Sequence, residues 1–226
     1  MPNHTANNFT VTGPVADVKR FLQQAAGSDT ELSFNSLIPL PTVLKDVTSP
    51  VRIQTQAEID ATWAEWRKNK EDKSDTGPMG VNSFDSDKPF GLGITQDTYD
   101  TLMKEHGVSN WYDWSVLNWG TKWDCYDVRE WSIAVADEEM TATIYYETAW
   151  SPATQVWLTV SQQYPTLTFF HEYADEGGGF LGDETIHNGT VIEENEYDWD
   201  SDDGITLREG LGRYWPEDEE VTTVEQ

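Results

Sequence analysis

Apolar and polar positions alternate from Asn8 to Thr12 (NFTVT), which predicts a short strand ended by Gly13-Pro14. The period then changes. Val15, Val18, Phe21 and Leu22 recur at helical spacing, with Asp17 in the first turn, and predict a helix through Ala26. Leu32 to Ile38 (LSFNSLI) reads as a second strand or extended segment, closed by Pro39 and Pro41. Gln56 to Lys70 reads as a polar helix with Ile59, Trp63 and Trp66 on one stripe, and Lys68 to Gly80 as a charged loop. A further helix follows Thr95 through Tyr99, Leu102 and Met103 and stops near Gly107. Met140 to Trp150 (MTATIYYETAW) is β-branched and aromatic and predicts a strand. Ser151-Pro152 reads as a cap with proline in the first turn, opening a helix toward Gln163 that buries Val156, Trp157 and Val160. Leu167 to Tyr173 predicts the next strand. Phe180 to Gly182 and Gly189 to Tyr197 predict a hairpin turning at Asn188-Gly189.

Strand, helix, strand at both ends of the chain gives an α+β fold. It is a ferredoxin-like split βαβ antiparallel sheet with a helical insertion and an extra C-terminal hairpin. The predicted organisation is a ferredoxin-like domain from 1–41 and 128–197, a mostly helical insertion over 42–127, and an acidic C-terminal segment over 198–226.

Charge changes the picture most. The 226 residues carry 41 Asp and Glu against 14 Lys and Arg, a formal net charge of −27. Residues 171–226 hold 18 of the acids and 2 of the bases. Such a field favours positively charged partners and opposes duplex nucleic acid, whose binding takes a basic footprint. The bland account of the acidity is solubility or adaptation to high salt. Cys125 is the single cysteine, so no internal disulfide forms, which fits a reducing compartment. No apolar run approaches the roughly 18 residues of a membrane span, and the N-terminus lacks a signal-peptide pattern. The expectation is a soluble cytoplasmic protein.

Several segments together resemble the YubB-like proteins of phages and conjugative plasmids. They are Asn3-His4 with the strand into Gly13-Pro14, Ser33-Phe34-Asn35 through Pro39, Asn118 to Asp124 (NWGTKWD), Thr148 to Pro152 (TAWSP) and Phe169 to Phe180 (FFHEYADEGGGF). NWGTKWD is the most specific of them. The resemblance covers roughly residues 1–190, and the acidic end looks less like the family. It implies a ferredoxin-like fold and a phage or plasmid origin, weakens the high-salt account, and supplies no reaction.

The run Glu193 to Asp203 (EENEYDWDSDD) holds seven acids and no base. Glu194, Glu196, Asp198, Asp200 and Asp202 alternate, so an extended chain sets them on one face about 6.7 Å apart. Such a row imitates a file of phosphates, and Glu217, Asp218, Glu219 and Glu220 add to it. The bland alternative is a solvated charge run. Asp198 to Glu209 also approaches a calcium-loop spacing, with Asp198, Asp200, Asp202 and Glu209 as ligands, but Asp203 stands where the sharp turn needs glycine. Trp119, Lys122 and Trp123 offer a stacking and charge site for a nucleotide, or a packing junction. His171-Glu172 reads as structural rather than acid–base. Cys125 reads as a packed thiol, and Glu147, Asp175 and Glu176 show no partner pattern.

The expectation is therefore a non-enzymatic phage or plasmid protein without a cofactor. It binds a host protein that has a basic, nucleic-acid-binding surface, as a counter-defence inhibitor of a nuclease, restriction or CRISPR-type complex. Glu193, Glu194, Glu196, Asp198, Asp200, Asp202 and Asp203 with the 217–220 acids carry the contact, and Tyr197 and Trp199 between them serve as anchors. A small-ligand or nucleotide-sequestering module at Trp119, Lys122 and Trp123 is the alternative. A homodimer through the added hairpin's edge is a further expectation.

Overall fold

A computed structural model describes residues 3–71, 89 and 92–213. The chain forms two compact units, Met1–Pro39 with Ser115–Gln226, and Leu40–Trp114. The insertion is expected over 42–127; the second unit occupies Leu40–Trp114.

In the first unit the strands are β1 (His4–Pro14), β2 (Ser132–Ala136), β3 (Glu139–Ala149), β4 (Thr168–Asp175), β5 (Leu181–His187) and β6 (Thr190–Glu196). They form one sheet in the order β2-β3-β1-β4-β5-β6, and all neighbours are antiparallel. Helix α1 (Val15–Ala25) follows β1, and α7 (Thr154–Ser161) joins β3 to β4. The first four strands in space, with these helices, are the ferredoxin-like plan, and β5–β6 is the added hairpin. Its tip is Asn188-Gly189, with φ of 46° and 79°, the paired left-handed geometry of a tight hairpin turn.

The strand period of two sorts the core. Phe9 and Val11 on β1, Ile144 and Tyr146 on β3, Phe169 and His171 on β4 and Ile186 on β5 are buried on one face. Val18, Phe21 and Ala25 of α1 and Val156, Trp157 and Val160 of α7 cover them. The Phe9 ring stacks on Trp157 at 3.8 Å and 16°. Burial of each such side chain contributes about 1.5–3 kcal/mol. On the other face, α8 (Asp202–Gly210) closes a smaller cluster of Ala6, Ala174, Leu181 and Leu211, with Tyr145, Tyr197, Trp199 and Leu207 packed against it.

Three local expectations fail for identifiable reasons. Residues 32–38 are not a strand. Ser33 caps a helical turn, α2 (Phe34–Leu37), and the Asp124 carboxylate takes the Phe34 N–H at 2.6 Å from ninety residues away. The second strand of the plan is β2, whose five residues are all exposed and carry no alternation. Ser151 is not a helix cap: its hydroxyl donates to the Gly120 carbonyl at 2.5 Å, and α7 begins at Thr154.

The second unit contains α3 (Thr42–Lys45), α4 (Gln56–Glu71), α5 (Gln96–His106) and the start of α6 (Trp111–Trp119), through Trp114. Thr55 and Glu58 form a capping box on α4. The Glu58 N–H reaches Thr55 Oγ1 at 3.3 Å, and Glu58 Oε2 accepts the Thr55 N–H at 2.8 Å. These hydrogen bonds hold the Glu58 carboxyl below its usual range. Ile59, Trp63 and Trp66 are the half-buried stripe that their spacing predicts. Thr95 caps α5, and Gly107 ends it at φ 72°. No helix among the described residues is long and apolar enough to cross a membrane.

Candidate functional site

The acidic run begins on an edge strand. Glu193, Glu194 and Glu196 lie on β6 and are exposed. Exposure keeps the period of two beyond the strand: Asp198, Asp200 and Asp202 are exposed, while Asn195, Tyr197, Trp199 and Ser201 are half-buried. The regular row of five on one strand does not form, because β6 ends at Glu196 and Ser201 caps α8 through the Gly204 N–H. Asp202 and Asp203 occupy the first turn of that helix, where its dipole favours carboxylates. Glu217, Asp218, Glu219 and Glu220 lie outside the described residues.

The neutral residues of the run hold it down. Asp183 of β5 accepts from Asn195 Nδ2 at 2.9 Å and from the Tyr197 hydroxyl at 2.6 Å. The hydrogen bond to Asp183 and burial hold the Tyr197 phenol up at about 12. Tyr197 and Trp199 pack against the small second cluster, so they anchor the segment to its own sheet rather than to a partner. Both cations of the last quarter also turn inward. Arg208 is 2% exposed and donates to the Trp199 carbonyl at 3.2 Å. Arg213 pairs with Glu147 at 3.1 Å. The outer surface of this segment is thereby left to its carboxylates. Beside it, Asn8, Glu172, Asp183, Tyr197, Asp203 and Leu207 line an open cleft.

The calcium-loop spacing does not fold as a loop. Its fifth position, Asp202, starts α8, and Glu209 sits near that helix's end. A Cβ at Gly204 would collide with the Asp198 carbonyl, which explains the glycine by close packing. No cluster of three or more His, Cys, Asp or Glu among the described residues is arranged to hold a metal.

The NWGTKWD segment splits in its roles. Trp119 is buried, and its Nε1 donates to the Ile38 carbonyl at 2.9 Å, so it packs rather than binds. Asp124 accepts from Ser33 Oγ at 2.7 Å and from the Phe34 and Cys125 N–H groups. The Cys125 thiol meets the Leu32 carbonyl at 3.4 Å, and burial pushes its pKa well up, as suits a packed thiol. Lys122 lies over two rings, Trp123 at 4.4 Å and Trp150 at 4.6 Å. Trp150 joins this group without a local signal in the sequence that it comes beside Lys122.

Two further polar groups join residues that are remote in sequence. His171 and Glu172 face opposite ways. Glu172 accepts from Asn8 Nδ2 at 2.7 Å, while His171 is fully buried between Glu184, Asn7 and Tyr146. Glu147 accepts from Arg213 and from the Tyr145 hydroxyl at 3.0 Å and lies 3.3 Å from His4 Nδ1. Tyr126 also contacts His4 Nδ1, at 2.7 Å. Burial, then the Glu147 charge, raises both phenols, Tyr145 to about 12.

Residues 130–224 match the family model described as a ferredoxin-like domain in Api92-like protein. The matched residues include the acidic run 193–203. Leu207 of α8 packs against the small cluster on the sheet's second face. A crystal structure of a protein api92 from Yersinia pseudotuberculosis is 11% identical, with a TM-score of 0.42, covering 87% of this chain and 98% of that one. No curated protein matches.

Proposed function

We propose that the chain is a non-enzymatic binding protein whose β6–α8 surface engages the basic, nucleic-acid-binding surface of another protein. The supporting observation is the sorting of residues 193–203. Carboxylates of Glu193, Glu194, Glu196, Asp198, Asp200, Asp202 and Asp203 stand outward, and Arg208 and Arg213 are turned inward. A groove built for phosphates would meet the segment's carboxylates and neither of its own two cations, Arg208 and Arg213. Complementary charge speeds encounter and makes binding salt-sensitive. A phage or plasmid origin, a cytoplasmic location and counter-defence against a nuclease, restriction or CRISPR-type complex are the most concrete form of this reading. They rest on the YubB-like resemblance. The same glutamates set like charges along the outer edge, which disfavours pairing of β6 with a second copy.

The test is capture from nuclease-treated host lysate. The wild type is compared with the Glu193→Gln, Glu194→Gln, Glu196→Gln, Asp198→Asn, Asp200→Asn variant, with short duplex DNA as competitor. The expected result is one nucleic-acid-binding complex, released by salt, displaced by the duplex and absent with the variant. Equal capture by the variant, or no displacement by the duplex, overturns the reading.

A further inference from the structure

We propose that Lys122, Trp123 and Trp150 form a binding site for a small aromatic phosphate, a nucleoside monophosphate in its simplest form. Its residues lie outside the acidic run, and it stands or falls independently of that surface.

Trp150 is the first observation. Its φ is 74°, a region that bulky L-residues rarely enter. Burial does not explain it, since the residue is 43% exposed. The conformation is held by bonds on both sides. The Trp150 N–H donates to the Asn3 carbonyl at 3.0 Å, and Thr121 Oγ1 donates to the Ala149 carbonyl at 2.8 Å. Ser151 Oγ donates to the Gly120 carbonyl. These contacts lock the 120–121 and 149–151 segments together and hold an indole outward beside Lys122. Strained, over-determined backbone of this kind concentrates at binding sites.

Charge is the second observation. In a chain of net charge −27, Lys122 pairs with no carboxylate among the described residues and rests on two indoles instead. The adjacent Asp124 turns its oxygens onto Ser33, Phe34, Asn35 and Cys125. An ammonium over partly exposed rings is weakly held and exchanges readily for a phosphate oxygen. Trp123, 38% exposed, and Trp150 then offer flat surface for a ring to stack on. The field of the whole chain opposes a polyanion, so the ligand carries one phosphate rather than a strand of them.

Calorimetric titration with AMP, adenosine, phenyl phosphate and inorganic phosphate tests this on the full chain. Lys122→Ala and Trp150→Gly are run beside it; glycine keeps the left-handed backbone and removes the ring. AMP should bind saturably, with adenosine and inorganic phosphate each at least about tenfold weaker. Both variants should lose about tenfold or more while still unfolding cooperatively near the wild-type melting temperature. Equal binding of phenyl phosphate assigns the site to any ring bearing a phosphate; a clear preference for AMP assigns it to nucleotides. No saturable AMP binding at millimolar concentration overturns the proposal. So does inorganic phosphate equal to AMP, or full affinity in both variants.

Discussion

His171 Nδ1 lies 2.9 Å from Glu184 Oε1, inside a core where the two side chains are 0% and 2% exposed. Asn7 Oδ1 stands 3.0 Å from the other ring nitrogen, and Thr154 Oγ1 donates to the same Glu184 oxygen at 2.7 Å. Glu184 and Asn7 thus contact opposite ring nitrogens, and the Tyr146 hydroxyl lies 3.2 Å from the second. Trp157 Nε1 donates to the Tyr146 hydroxyl, which completes a satisfied network under α7. Removing one member leaves its buried neighbours short of a partner. Glu184→Leu or His171→Phe should each lower unfolding free energy by about 3–5 kcal/mol. The double change should cost clearly less than the two together. Urea unfolding of the four proteins measures this; strict additivity would contradict the network.

Trp150 has the opposite character, since its backbone works against stability. A left-handed L-residue costs about 1–2 kcal/mol, and glycine returns about 0.5–1 through chain entropy. Trp150→Gly should therefore unfold within about 1 kcal/mol of the wild type, and Trp150→Ala, which keeps the strain, below it. The order of the two urea midpoints is the measurement.

The Tyr197 phenol, donating to Asp183, and the Tyr145 phenol, donating to Glu147, are both held up at about 12. An unfolded tyrosine ionises near about 10. Above that pH the unfolded chain has lost protons that the folded chain keeps, so stability falls as pH rises. The contribution is complete below about pH 10 and disappears toward about pH 12. Thermal unfolding across that window should drop less steeply for Tyr197→Phe than for the wild type.

Legibility in the sequence followed the range of the forces. β1, α1, β3, β4, the α5 caps and the Asn188-Gly189 hairpin rest on neighbours a few positions away, and their periods and caps were readable. α2 was not, because one of its hydrogen-bond acceptors, Asp124, is distant in sequence. β2 was not, because all five of its residues are exposed and only pairing with β3 makes it a strand. In the acidic run the period of two set the carboxylates on one side, but Tyr197 and Trp199, expected as partner anchors, pack against the chain's own cluster. The period did not foresee α8, whose Ser201 cap competes with continued strand. Trp150 beside Lys122 was invisible, since a positive φ at tryptophan leaves no trace in composition.

Asp124 makes that long reach testable. Its carboxylate meets Ser33 Oγ and the Phe34, Asn35 and Cys125 N–H groups. Asp124→Ala should cost about 2–3 kcal/mol, as charge-assisted bonds to backbone are lost and buried donors are left open. Asp124→Asn should recover part of it. Hydrogen exchange should quicken at Phe34 and Asn35 ahead of the sheet.

The exposed acids of β6 and the turn after it predict the reverse sign. Among the described residues, no hydrogen bond or ion pair engages the carboxylates of Glu193, Glu194, Glu196, Asp198 or Asp200, while like charges crowd around them. Self-repulsion in a strongly charged chain opposes compactness. Neutralising these five should leave stability unchanged or raise it by about 0.5–1 kcal/mol at low salt. The gain should shrink as salt approaches 1 M, where the screening length is about 3 Å. The same change strips the edge strand of the charges that keep it from pairing, so self-association should increase with protein concentration. Unfolding at two salt concentrations and sedimentation of the variant check both parts. A variant that loses its fold would show instead that the carboxylates hold the hairpin in place, and loss of partner capture by that variant would then say nothing about recognition.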